Sequence, residues 1–167
     1  LAQFLSELHK KSGRSIRVCL EMEPDCVLET TDEIIRFFSH DLPTQASTLG
    51  IDNRVINKHL GVCFDVCHQA VMFEEVDQSL TQLMSAGISI GKIQISSALE
   101  VKHPNNPISR QALQQFIEPR YLHQTRSLHN KKMIGEVDLS LALKSTEMPA
   151  IDPWRIHFHI PIQTTTL

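Results

Sequence analysis

Four extended runs in this chain share one pattern, and that pattern limits the fold more than any other feature. In "RVCLEME" (17–23), Val18, Leu20 and Met22 alternate with Cys19, Glu21 and Glu23. Side chains of a strand point to opposite faces with period two, so each set occupies its own face. "GVCFDV" sets Val62, Phe64 and Val66 against Cys63 and Asp65. "KIQIS" sets Ile93 and Ile95 against Lys92, Gln94 and Ser96, and "IHFHI" sets Ile156, Phe158 and Ile160 against His157 and His159. Each run has one apolar face and one carrying ionisable or amide groups near its C-terminal end.

Helical signals lie between the runs. Leu1, Phe4, Leu5 and Leu8 share a helical face that stops at Ser12-Gly13. Thr30 and Glu33 have capping-box spacing ahead of Ile34, Ile35, Phe37 and Phe38. A polar, Gly-containing stretch before "HLGVCFDV" reads as a loop. Val76, Leu80, Leu83 and Met84 form an apolar stripe closed by Gly87. Residues 97–150 read as a long insert with a helix from Ser109 to about Ile117, an ambiguous segment at "RYLHQTRS", and a short helix opening at Asp138.

The order β-α-β-α-β-insert-β predicts a parallel α/β sheet. A doubly wound sheet needs both faces apolar, because helices cover both. Parallel strands polar on one face fit a barrel lined with functional groups, whose active site lies at the C-terminal strand ends. A complete (β/α)8 barrel takes about 250 residues. The expected fold is therefore the C-terminal half of a TIM barrel, strands five to eight, with residues 1–167 one partial domain truncated at both ends. The alternative is an antiparallel sheet with its polar side to water.

The 16 Lys and Arg against 19 Asp and Glu are scattered, which argues against a nucleic-acid partner. No apolar run approaches the roughly 18 residues of a membrane-spanning helix. The chain opens at Leu1 in what reads as mid-helix, with no signal peptide, and a cytoplasmic location is expected; a homo-oligomer is left open. Cys63 and Cys67 form C-x3-C and no C-x2-C pair occurs, which disfavours a structural zinc knuckle. Reduced cysteines are expected, Cys63 as a filler beneath Asp65 and Cys67 as a turn residue.

The polar faces bring forward Glu21, Glu23, Asp65, Lys92, Gln94, His157 and His159, with His68 just past its strand. Carboxylates and imidazoles at strand ends suit a divalent cation, zinc or manganese before magnesium. A metal-free acid–base site is the alternative. Duller roles stand beside these. Asp65 fits a strand-end cap, His68 a surface turn, and one of Glu21 and Glu23 a counter-charge to Lys92. His157 and His159 fit core histidines satisfied by backbone or water.

Taken in order, "CLEMEP", "GVCFDVCH" with its D-x-x-H, "GKIQISSAL" and "HFHIPI" resemble the last four strands of the xylose isomerase-like TIM-barrel superfamily. More narrowly, "EPDCVLETTDE", "VCFDVCHQAVMFE", "KIQISSALE", "EPRYLHQ" and "HFHIPI" are similar to the EboE family of metabolite traffic proteins, a branch of that superfamily. The resemblance implies Glu21, Asp65 and His68 as metal or substrate ligands. Gln94 joins them as a metal ligand at the position where many relatives have a histidine, and His157 and His159 replace the expected last glutamate. It leaves Glu21 as the carboxylate for proton transfer, with His159 as ligand or general acid. Glu23, Lys92, His123 and His157 are the candidate substrate contacts, His123 reaching in from the insert.

The function expected from this resemblance is metal-dependent proton transfer of isomerase, epimerase or lyase type on a small polar metabolite, linked to metabolite traffic. The alternative is a non-catalytic metabolite-binding or carrier protein. A DNA-repair nuclease, the third activity of the superfamily, lacks its basic groove here.

Overall fold

The computed structural model describes residues 1–164, and the chain divides into two compact units. One holds 1–65 and 76–94; the other holds 66–75 and the chain from Ile95 onward.

In the first unit, α1 (Ala2–Ser12) ends where Gly13 takes φ 69° and returns its N–H to the His9 carbonyl. After β1 (Val18–Glu21), the expected capping box opens α2 (Thr31–Arg36): the Thr30 hydroxyl accepts from the Glu33 N–H, and the Glu33 carboxylate accepts from the Thr30 N–H. The stretch expected as a loop is largely helical. A π-helical turn (Phe37–Asp41) leads into α3 (Leu42–Thr48), and Asp52 caps α4 (Asn53–His59). Its breaker residues are terminal devices: Pro43 stands in the first turn of α3, where its missing N–H costs little.

β2 (Leu60–Asp65) is buried along its whole length. The chain then leaves the unit through α5 (Val66–Val71) and returns as α6 (Val76–Ser85) and β3 (Ile90–Gln94). The sheet order is β1-β2-β3, all parallel, so the three strands finish at the same edge. Gly61 is required by close approach: a Cβ there would come within 2.6 Å of the Ser89 carbonyl oxygen. Ile34, Val62, Phe64 and Leu83 are fully buried, and Ala2, Ala46, Ile56 and Leu60 form a second apolar cluster.

In the second unit, β4 (Ser97–Val101) and α7 (Pro107–Gln114) precede a hairpin of β5 (Thr125–His129) and β6 (Lys132–Glu136). Asn130 and Lys131 take φ 51° and 64° at its tip, the conformation of a two-residue I′ turn. Asp138 caps α8 (Leu139–Ala142), and β7 (Trp154–Ile160) closes the order β4-β7-β5-β6, antiparallel throughout. Leu99, Leu113, Leu139, Met148, Trp154 and Ile156 build the core. α5 lies against β4 and β7. The Arg155 guanidinium donates to the Ala70 carbonyl at 2.9 Å and stacks on Phe73, tying the end of α5 to β7.

The half-barrel expectation is therefore wrong. Three of the four runs do form a parallel sheet, but the fourth, β7, is an interior strand of a separate antiparallel sheet, and among the described residues no barrel closes. The insert explains why. Residues 97–136 hold three strands that sequence reading missed, and two of them occupy both edges of β7. Nor does the alternation of β3 translate into burial: Ile93, on its apolar face, is 52% exposed.

Candidate functional site

The parallel sheet gathers its polar groups where its strands end. Glu21, Asp65 and Gln94 are the last residues of β1, β2 and β3, and Asp65 pairs in register with Gln94. The Gln94 amide nitrogen donates to Glu21 Oε1 at 2.5 Å and to Asp65 Oδ2 at 2.7 Å, and its carbonyl oxygen accepts from Lys92 Nζ at 2.6 Å. Asp65 is buried, Gln94 half-buried, and Glu21 and Lys92 exposed. The amide spends both N–H groups on two carboxylates and offers its lone pairs to an ammonium, so the four side chains form a matched network. Gln94's one metal-binding atom, its carbonyl oxygen, points to Lys92. Beneath them, burial first and the Glu21 charge second push the Cys63 thiol up to about 11, so Cys63 stays a neutral filler at physiological pH.

The antiparallel unit gathers imidazoles. On β7, Ile156 packs in the core while His157 and His159 alternate to the other face, as the parity predicts. α5 supplies His68, whose Nε2 lies 3.0 Å from His157 Nε2; the two rings meet edge to face. His157 Nε2 is also 3.0 Å from His159 Nε2. The outer nitrogens are held by neighbours. Gln124 Oε1 lies 2.7 Å from His157 Nδ1, and Ser96 Oγ lies 2.8 Å from His159 Nδ1. Gln124 Oε1 can only accept, so His157 carries its proton on Nδ1 and turns the Nε2 lone pair toward the other two rings.

Cys67 completes the cluster. It is buried on α5, its Sγ donates to the Phe158 carbonyl at 3.2 Å, and it presents a ligand atom within 4.8 Å of ligand atoms of His157 and His159. Histidine and cysteine groups, Cys67 and His157 buried and His159 exposed, thus lie at metal-holding distances. Side chains of this chemistry fit zinc better than magnesium.

His123 lies behind this cluster: its Nδ1 donates to the His157 carbonyl at 3.0 Å, and its ring stacks on Phe158 at 3.8 Å. Its Nε2 approaches Glu118 Oε1 at 3.4 Å without hydrogen-bond alignment. Glu23 sits past β1 in the turn to Leu28, its carbonyl accepting from the Cys26 N–H and its carboxylate facing the Cys26 thiol. Sequence reading found no signal for Gln124, put Ser96 on a polar face without a role, and set Cys67 aside as a turn residue. The one available signal for Cys67 was its place beside His68.

Among the described residues no helix is long and apolar enough to cross a membrane. Compared with family models, curated proteins and solved structures, the chain matches none of them.

Proposed function

We propose that this chain is a metal-dependent protein acting on a small polar metabolite by proton transfer, of isomerase, epimerase or lyase type. The observation that carries this reading is the meeting of three imidazoles at His157, with the outer nitrogen of that ring held by Gln124. A bound zinc or manganese ion would polarise a carbonyl or hydroxyl oxygen of the metabolite and make the adjacent proton easier to remove. His159, exposed at the end of β7, is the imidazole that either holds the ion or moves that proton. The resemblance to the EboE family supplies the substrate class and the link to metabolite traffic.

A specific observation favours a second reading. Glu21 Oε1 already accepts from Gln94, which also holds Asp65, so the parallel-sheet carboxylates are bridged rather than left as free bases. A carrier that binds its metabolite without turning it over suits that network.

Metal content of the purified chain tests the shared premise. Stoichiometric zinc or manganese is expected in the wild type, with little in His157→Ala; a metal-free wild type sinks both versions. Incubation of polyol and keto-sugar mixtures in D2O then separates the two. Deuterium incorporation next to a carbonyl, lost in His157→Ala, marks the enzyme. Binding without exchange marks the carrier.

A further inference from the structure

The reading above leaves the metal and its ligands open, and the antiparallel unit narrows both. We infer that Cys67, His157 and His159 form a three-ligand, thiolate-containing zinc site built entirely within this unit; the inference rests on the proposed metal dependence and specifies it. Each of the three offers one ligand atom within a 4.8 Å neighbourhood. Ligand atoms around a tetrahedral zinc lie about 3.3–3.6 Å apart, given bonds of about 2.0–2.3 Å. The 3.0 Å between the His157 and His159 nitrogens is close to that spacing, and the rings stand at 76° to one another.

Two features mark the site as built. His157 is held from behind on both its side chain and its backbone: Gln124 Oε1 accepts from Nδ1–H, the Gln124 carbonyl accepts from the His157 N–H at 2.9 Å, and His123 Nδ1 donates to the His157 carbonyl. Outer-shell partners of this kind fix the tautomer that presents Nε2 to a metal. Cys67 is held from the other side, since Arg155 ties the end of α5 to β7. Three protein ligands leave a fourth position for water or substrate, the pattern of reactive zinc sites. His68 adds a further imidazole 3.0 Å from the His157 nitrogen.

A thiolate and two imidazoles select zinc over manganese or magnesium, because sulfur is a poor ligand for the harder ions. Loading replaces the bond from Cys67 S–H to the Phe158 carbonyl: the thiol proton leaves to solvent, and Sγ bonds the ion. Binding therefore releases one proton per chain and strengthens as pH rises toward neutrality.

Cobalt(II) is the probe. The full chain, stripped with a chelator and titrated with cobalt, should show an intense near-ultraviolet thiolate-to-cobalt charge-transfer band together with visible ligand-field bands, both removed by added zinc. Cys67→Ser should lose the charge-transfer band and weaken zinc binding while circular dichroism stays native. Cys63→Ser, the other thiol of the C-x3-C pair, should keep the band. Gln124→Leu should weaken zinc about 10–100-fold with the band retained. Cobalt bound by the wild type without the charge-transfer band, or a band that persists in Cys67→Ser, overturns the thiolate site and leaves metal dependence standing. No binding of cobalt or zinc by the wild type overturns both.

Discussion

On the parallel sheet two carboxylates meet an amide; on the antiparallel sheet imidazole meets imidazole. The first cluster is complementary in itself, since Gln94 donates to Glu21 and Asp65 and accepts from Lys92. The second turns three nitrogens of the same kind toward one another, with the lone pair of His157 Nε2 at the centre. Neutral rings can aim two donors at that one lone pair, and a cation held by His157 and His159 would take the lone pair instead. Polar groups placed by the same strand parity thus reach different ends. Matched donors and acceptors make a structural network, and imidazoles gathered around one lone pair stand at metal-holding distances.

The largest expected effect tests the cation side directly. A ligand that binds only the folded state stabilises it by about 2.7 kcal/mol at a free concentration near one hundred times its Kd. Zinc at that level should slow amide hydrogen exchange in β7 and α5 accordingly, and His157→Ala should abolish the effect. β1 and β2 should show much less zinc-dependent protection. Equal protection of β2 and β7 would erase the contrast between the clusters.

The next effect tests the closed network. Gln94→Leu takes one donor from buried Asp65, and a lost hydrogen bond to a charged group costs about 1.5–3 kcal/mol. Urea unfolding followed through exchange of β2 and β3 amides should show that loss, and zinc should not repair it. A variant as stable as the wild type would mean that the amide bridge contributes nothing.

Much of this contrast was legible in the sequence, because strand parity is a local property. It set Glu21 and Asp65 on the polar faces near the C-terminal ends of their runs, and it set His157 and His159 opposite Ile156. The capping box at Thr30 was equally local. Partnership between strands was not legible. β7 carries the same alternation whether its neighbours are parallel or antiparallel, and the hairpin tip at Asn130-Lys131 lacks the glycine that usually marks such turns. With that hairpin unseen, the spacing of helices and strands suggested a half-barrel. The role of Cys67 was hidden for a related reason: its site depends on a contact between residues about ninety positions apart in sequence, the separation of Cys67 and Phe158, which no local periodicity reports.

The smallest effect concerns a support of the histidine cluster. Asp138 Oδ1 accepts from the His123 N–H at 3.0 Å, while Oδ2 accepts from the Ser140 N–H at 3.3 Å and from its hydroxyl. Burial alone would raise its carboxyl, but the Ser140 and His123 hydrogen bonds outweigh that and hold it below its ordinary value of 3.8. A carboxylate depressed on folding contributes stability that is complete above its unfolded value and is lost as pH falls through the folded one. The contribution of Asp138 should therefore be intact at neutral pH and disappear only below about pH 4. Asp138→Ala removes the cap of α8 and should cost about 1 kcal/mol at pH 7, with a shallower acid limb than the wild type in urea titrations between pH 5 and 2. Because His123 in turn donates to the His157 carbonyl, the same variant should bind zinc slightly more weakly. Thr30→Ala, the matching cap loss on the parallel-sheet unit, should cost a similar amount of stability and leave zinc affinity unchanged. Equal zinc affinity in both variants would confine Asp138 to capping and remove it from the support of the histidine cluster.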